Sequence, residues 1–279
     1  MLPPYLASVS RNAGLKGPAL TDYSFKTVRP PVGLTTIKAA MFAWQGGHRL
    51  MEVGAGAEVY VEDSTLDGTN MTNLMAAAVQ LMPASPSRVT FRRSRFDNAT
   101  VSFLKSFGAS LHLDECFVGA FGVGATPDAH LEQVFINQGA LTVSGSVLDG
   151  SGGAGRMIGG VTGLLYLEGS SGPIFGHLTR SALIGCKAIK APAAIQISAR
   201  PYPVVVAIGD CIVEKGTSQH IAVTEAGGLV QIIDLGGNVD AETGAPVDLS
   251  YPKRGQVPKA NPLVGELQAR LQAVRNALA

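Results

Sequence analysis

Charge is scarce in this chain. Asp, Glu, Lys and Arg make up only 15% of it, against the usual quarter, and 22 basic and 21 acidic residues leave a net charge of +1. A basic face that grips nucleic acid through its phosphates is therefore not expected. Three cysteines in 279 residues are too few for a disulfide framework. Aromatic residues are 6%, with a single Trp, which is thin for stacking sugars. Nothing approaches the roughly 18 consecutive apolar residues of a membrane-spanning helix, so no membrane partner is expected. The opening Met1-Leu2-Pro3-Pro4-Tyr5-Leu6 has neither the basic nor the apolar stretch of a secretory signal. Hydrophobic residues are 46%, enough for a sizeable core, and the 34 glycines are scattered among Val, Ile and Leu. That pattern fits neither collagen nor a disordered chain. A soluble, β-rich protein is the expectation.

An internal repeat decides the architecture. Gly56-Ala57 leads into Val59-Tyr60-Val61-Glu62-Asp63-Ser64-Thr65-Leu66. Gly108-Ala109 leads into Leu111-His112-Leu113-Asp114-Glu115-Cys116-Phe117-Val118, and Gly139-Ala140 into Leu141-Thr142-Val143-Ser144-Gly145-Ser146-Val147-Leu148. Further copies run from Val89 to Phe96, Gly176 to Leu183 and Val206 to Val213, with a partial one at Val230–Leu235. The small residue falls at Ser64, Ser94, Cys116, Ser146, Ser181 and Cys211, at separations of 30, 22, 30, 35 and 30 residues. A second alternating pair precedes most copies: Met51 and Val53, Val101 and Phe103, Val134 and Ile136, Ile195 and Ile197, Ile221 and Val223. Period-two alternation over three to five residues signals a short strand, and such strands bury their apolar faces only by stacking unit on unit. The Leu spacing and helical backs of a leucine-rich repeat are missing.

On these residues the chain resembles the pectin-lyase-like parallel β-helix superfamily, over roughly 50–238. That family includes polysaccharide lyases, glycosidases, phage tail spikes and adhesins, and the style here is closest to the phage proteins. The resemblance implies an all-β fold, a right-handed parallel β-helix solenoid of about seven coils. The 22-residue step then reads as one bare coil and the longer steps as coils with loops. Three regions are expected: 1–49, an extended arm without its own core followed by a capping helix; 50–238, the β-helix; and 239–279, a linker and C-terminal helix. The capping helix rests on Ile37, Ala40, Met41 and Trp44 at helical spacing, stopped by Gly46-Gly47. The C-terminal helix starts at Asn261-Pro262 and carries a seam of Leu263, Leu267, Leu271, Val274 and Leu278, suited to self-association.

Equivalent positions of neighbouring coils lie about 4.8 Å apart. Glu62-Asp63, Arg92-Arg93 and Asp114-Glu115 therefore stack acid on base on acid, with His112 beside them. This column is the candidate binding surface, and its structural reading is a ladder of ion pairs. Asp67, Asp97 and Asp149 sit in turn dipeptides. His112 and His177 share a repeat position two coils apart, about 10 Å, too far for one metal. The remaining histidines, His48, His130 and His220, show no zinc spacing with any cysteine. Cys116 and Cys211 read as small buried residues. The carboxylate and base sets of the family's lyases and polygalacturonases do not occur. No catalytic residue, metal or cofactor is expected.

The reading that follows is a non-enzymatic structural protein of a phage particle, either capsid decoration or tail spike-like. It would assemble in the host cytoplasm as a homotrimer, with itself and other virion proteins as partners. The alternatives are a β-helical polysaccharide lyase or glycoside hydrolase, or a carbohydrate-binding adhesin with a glycan partner.

Overall fold

A computed structural model describes residues 2–24, 26–43, 49–68, 79–81, 87–98, 102–119, 132–151 and 163–252. The protein is all-β, with parallel strands in two stacked sheets, an arrangement compatible with a parallel β-solenoid. The narrower sheet orders its strands strictly along the chain: Thr21–Asp22, Ala40–Ala43, Thr65–Asp67, Arg95–Asp97, Phe117–Val118, Val147–Asp149, Ala182–Ile184, Ile212–Val213 and Val239–Asp240. The wider sheet stacks Gly33–Lys38, Ala57–Glu62, Arg88–Arg92, Leu104–Asp114 and Val134–Ser144, then continues as the paired strands Ile174–Thr179, Val204–Gly209 and Val230–Gly236. The preceding alternating pairs form its other wing, for example Leu165–Glu168 and Ile195–Ala199.

The register reproduces the repeat. Leu66 pairs with Phe96, Phe96 with Val118, Val118 with Leu148, Leu148 with Leu183 and Leu183 with Val213, all in parallel. Val59, Val61, Phe91, Leu111, Leu113, Leu141 and Val143 are at most 1% exposed, and they join one core that runs from Ile37 to Leu249. Side chains of this size contribute about 1.5–3 kcal/mol each when fully buried. Phe91, Phe96 and Phe103 meet edge to face inside it, at centroid distances of 4.9 and 6.0 Å.

Before the last rung, each described crossing from the wide to the narrow sheet uses a single left-handed residue followed by a small one, whereas the last uses Gly236 and Gly237 (φ 92° and 72°) before Asn238. Asp63, Arg93, Glu115, Gly145, Arg180 and Asp210 have φ between 44° and 55°. Their followers Ser64, Ser94, Cys116, Ser146, Ser181 and Cys211 are all fully buried. The followers satisfy the backbone of the bend. Ser146 N–H donates to Ser181 Oγ at 3.1 Å, Cys116 N–H to Ser146 Oγ at 3.0 Å, and Ala40 N–H to Ser64 Oγ at 3.0 Å. Asn238 closes the column by accepting from Cys211 N–H at 3.0 Å.

Two expectations for the N-terminal region are overturned. Residues 35–43 do not form a capping helix, because Gly33–Lys38 and Ala40–Ala43 are strands of the stack, paired with Ala57–Glu62 and Thr65–Asp67. The helical spacing was produced by a corner. Ile37 and Ala40 face inward on two strands, on either side of the left-handed Ala39 (φ 46°). Residues 1–34 are not wholly extended either. Pro4–Asn12 is a helix, and its fully buried Leu6 packs with Phe117, Val147 and Ala182 on the outer face of the narrow sheet. Pro at the first helical turn is compatible with that start. At the other end, residues 245–251 fold back over the last rung. There Tyr251 and Ile232 exchange hydrogen bonds of 2.8 and 3.1 Å, and Leu249 is 5% exposed. Trp44, His48, His130, Val101 and the seam at Leu263, Leu267, Leu271, Val274 and Leu278 lie outside the described residues.

Candidate functional site

The charged column forms as two adjacent rows. At the strand ends, Lys38, Glu62, Arg92 and Asp114 are register partners in succession. Glu62 is the hub. Its side chain is only 10% exposed and is held by Lys38 Nζ at 3.1 Å, by Arg92 Nη1 at 3.8 Å and by a close contact with Arg93 Nη2. Arg92 Nε lies 3.3 Å from Asp114 Oδ2, an ion contact without hydrogen-bond alignment. In the corner row, Arg93 donates through Nε to Asp63 Oδ1 at 2.8 Å and through Nη2 to Asp63 Oδ2 at 3.0 Å. Burial works to raise the Glu62 carboxyl, but hydrogen bonds from Lys38 and Arg93 outweigh it and leave it below its usual range. The Arg93 hydrogen bond holds Asp63 low as well. Both acids are therefore ionised, closely partnered and poorly placed to carry a proton.

His112 follows Thr90 and precedes Thr142 in register, and His177 comes next, so the two histidines are two strands apart, as the repeat requires. Burial lowers both of their pKa values, with Arg88 adding to the effect at His112, and this favours neutral imidazoles. Burial pushes the Cys116 thiol up to about 12 and the Cys211 thiol up to about 11, which removes the thiolate a nucleophile needs. Asp149 Oδ1 accepts from Ser151 N–H at 2.8 Å, a turn contact. Asp97 is paired with Arg95. Asp67 stands beside Asp97 in the sheet and accepts from Asn98 Nδ2 at 3.2 Å. Among the described residues, no three His, Cys, Asp or Glu side chains gather in a way that could hold a metal ion.

A groove that the repeat does not reveal opens between the N-terminal helix and the corner row, with a volume of about 350 Å³. The helix is fixed there by four contacts. Tyr5 Oη donates to Arg180 O at 3.1 Å, Arg95 Nη1 to Ser10 O at 2.9 Å, Gly14 N–H to Arg93 O at 2.8 Å and Leu15 N–H to Thr65 Oγ1 at 3.1 Å. Gly14 must be glycine: its φ is +98°, and a Cβ would lie 2.7 Å from Thr65 Oγ1 and 2.8 Å from Arg95 Cβ. Arg95 also covers the Phe117 ring at 4.2 Å, tying the corner to the helix's apolar bed. Arg93, Glu115, Gly145 and Arg180 form the floor of the groove, and Tyr5, Asn12 and Lys16 stand on its other wall.

Arg93 and Glu115 thus stand where the repeat put them, whereas Lys16, Tyr5 and Asn12 were missed. Arg180 occupies the equivalent position in the repeat copy from Gly176 to Leu183, so the corner column was readable from the repeat. The helix that completes the groove was not. Comparison with protein-family models, with curated proteins and with solved structures gave no match.

Proposed function

We propose that the chain is a right-handed parallel β-helix of about seven coils, of the pectin-lyase-like kind. We further propose that it serves as a non-enzymatic structural subunit of a phage particle, assembling as a homotrimer. The observation that carries this reading is apolar surface left open at one end of the stack. Leu20, Val32 and Leu34 are 80%, 81% and 70% exposed. They lie on the segment that forms the first rung, where Gly33–Lys38 is the terminal strand of its sheet. Exposed apolar side chains beside an edge strand are the ordinary makings of a subunit contact. The ion ladder supports the non-enzymatic part, since Glu62, Asp63 and Asp114 are committed to arginines on the neighbouring rung.

Multi-angle light scattering tests the assembly. The intact chain is expected at three times 28.9 kDa, and Leu34→Glu combined with Val32→Glu at a lower mass with unchanged circular dichroism. A chain ended after residue 252, which keeps the fold-back over the last rung, separates the contribution of the leucine seam. A monomeric intact chain contradicts the proposal. Release of reducing ends or unsaturated products from polysaccharides would support the enzymatic alternative instead.

A further inference from the structure

The groove beneath the N-terminal helix is lined by three charged side chains that form no ion pair among the described residues. Arg93 is neutralised by Asp63 and Glu62. Lys16, Glu115 and Arg180, by contrast, make no ion pair among the described residues. Among the described residues, the Arg180 guanidinium donates only to the neutral Ser144 Oγ, at 3.2 Å. Two cations and one carboxylate without an ion-pair partner among the described residues therefore line a groove of about 350 Å³, although Lys16 also acts at longer range on Asp63. On the neighbouring rungs, Glu62, Asp63 and Asp114 are closed by Lys38, Arg92 and Arg93. Here the rung between Glu115 and Arg180 is Gly145, which has no side chain to bridge them.

We propose that this groove binds a small hydroxylated monoanion of the polyhydroxy-carboxylic acid class. Lys16 and Arg180 supply donors for a carboxylate, and Arg180 has the planar fork that fits one. Glu115 accepts from ligand hydroxyls, and its charge disfavours a dianion such as phosphate. Tyr5, held by its bond to the Arg180 carbonyl, and Asn12 line the helix side, where further hydroxyls would lie. The empty floor at Gly145 gives the ligand its depth. Six other corners, at Ala39, Asp63, Arg93, Glu115, Arg180 and Asp210, hold L-residues at φ between 44° and 53°, and a Cβ at Gly145 would meet only Glu115 Cγ, at 3.6 Å. The fold therefore tolerates a side chain at Gly145, and such a side chain would fill the site.

The test is titration of the full chain with D-gluconate by calorimetry, with sorbitol as the uncharged control and acetate as the control without hydroxyls. One gluconate should bind per chain, more tightly than either control. Arg180→Gln should weaken it by roughly tenfold or more, the scale of one charge-assisted hydrogen bond. Gly145→Asn should abolish binding while the melting temperature stays at the wild-type value. If Arg180→Gln fails to fold, the Gly145 variant gives the same reading. Gluconate that binds no better than acetate or sorbitol, or as well to Gly145→Asn as to the wild type, overturns the proposal.

Discussion

Ser146→Ala isolates what the buried corner column contributes. Ser146 is fully buried, and its Oγ donates to Ser144 O at 2.9 Å while accepting from Cys116 N–H at 3.0 Å. Alanine keeps the bond from the Ser146 N–H to Ser181 Oγ, and Ser144 O still accepts from Glu115 N–H at 2.9 Å. The loss falls on the Cys116 N–H, which is left buried without an acceptor. A buried unsatisfied donor costs about 1–3 kcal/mol, and that is the expected fall in stability. Ser146→Cys should cost less than about 1 kcal/mol, because a thiol can still donate and weakly accept there. Cys116 and Cys211 already fill the equivalent slots, with sulfurs 3.4 and 3.3 Å from the carbonyls of Asp114 and Gly209. Guanidinium unfolding followed by circular dichroism reads both variants, with equal slopes confirming that the native state is the same. An alanine variant as stable as the wild type, or a cysteine variant as damaged as the alanine one, refutes the reasoning.

Arg93→Ala should destabilise by about 1–2 kcal/mol, more than an isolated surface pair, since Glu62 is nearly buried but keeps Lys38 and Arg92. The Glu62 and Asp63 carboxyls are held low in the folded state, so the stability they contribute is present above their unfolded values. It is lost as pH falls through the folded values. Acid unfolding should therefore begin at a higher pH in Arg93→Ala than in the wild type, and identical acid profiles would contradict the ladder. The Cys116 and Cys211 thiols should resist a thiol reagent at pH 8 until denaturant is added. Immediate labelling at either one would place it outside the core.

The stack was legible in the sequence because two of its constraints act on every rung. Inward positions must be apolar at period two, and the bend must hold a small residue that fits between the sheets. Val59, Val61, Leu111 and Leu113 show the first constraint, and Ser64, Cys116 and Ser146 the second. The corner residue before each bend was legible only as an outward charge. Its left-handed backbone is adopted by Asp63 and Asp210, but also by Arg93, Glu115 and Arg180, and Arg and Glu give no sign of a turn. The first rung escaped because Ala40 replaces the serine and the corner at Ala39 brings two strands' inward residues into helical spacing. The N-terminal helix escaped because it is short and depends on tertiary contacts, with Leu6 in a bed made by Phe117, Val147 and Ala182. The groove depends on that helix, so no local pattern announces it.

The register of the stack is the central claim, and a designed metal site tests it directly. His112, Thr142 and His177 are aligned partners on three successive strands. Neighbouring positions are about 4.8 Å apart, whereas the two native histidines are about 10 Å apart. Thr142→His should therefore place imidazoles on adjacent rungs and create a Ni²⁺ site that the wild type lacks. Calorimetry with Ni²⁺ should show the new binding, the melting temperature should rise with metal, and both effects should vanish when His112 and His177 are also replaced by Ala. A folded Thr142→His variant that binds Ni²⁺ no better than the wild type would contradict the register and the stacked architecture built on it.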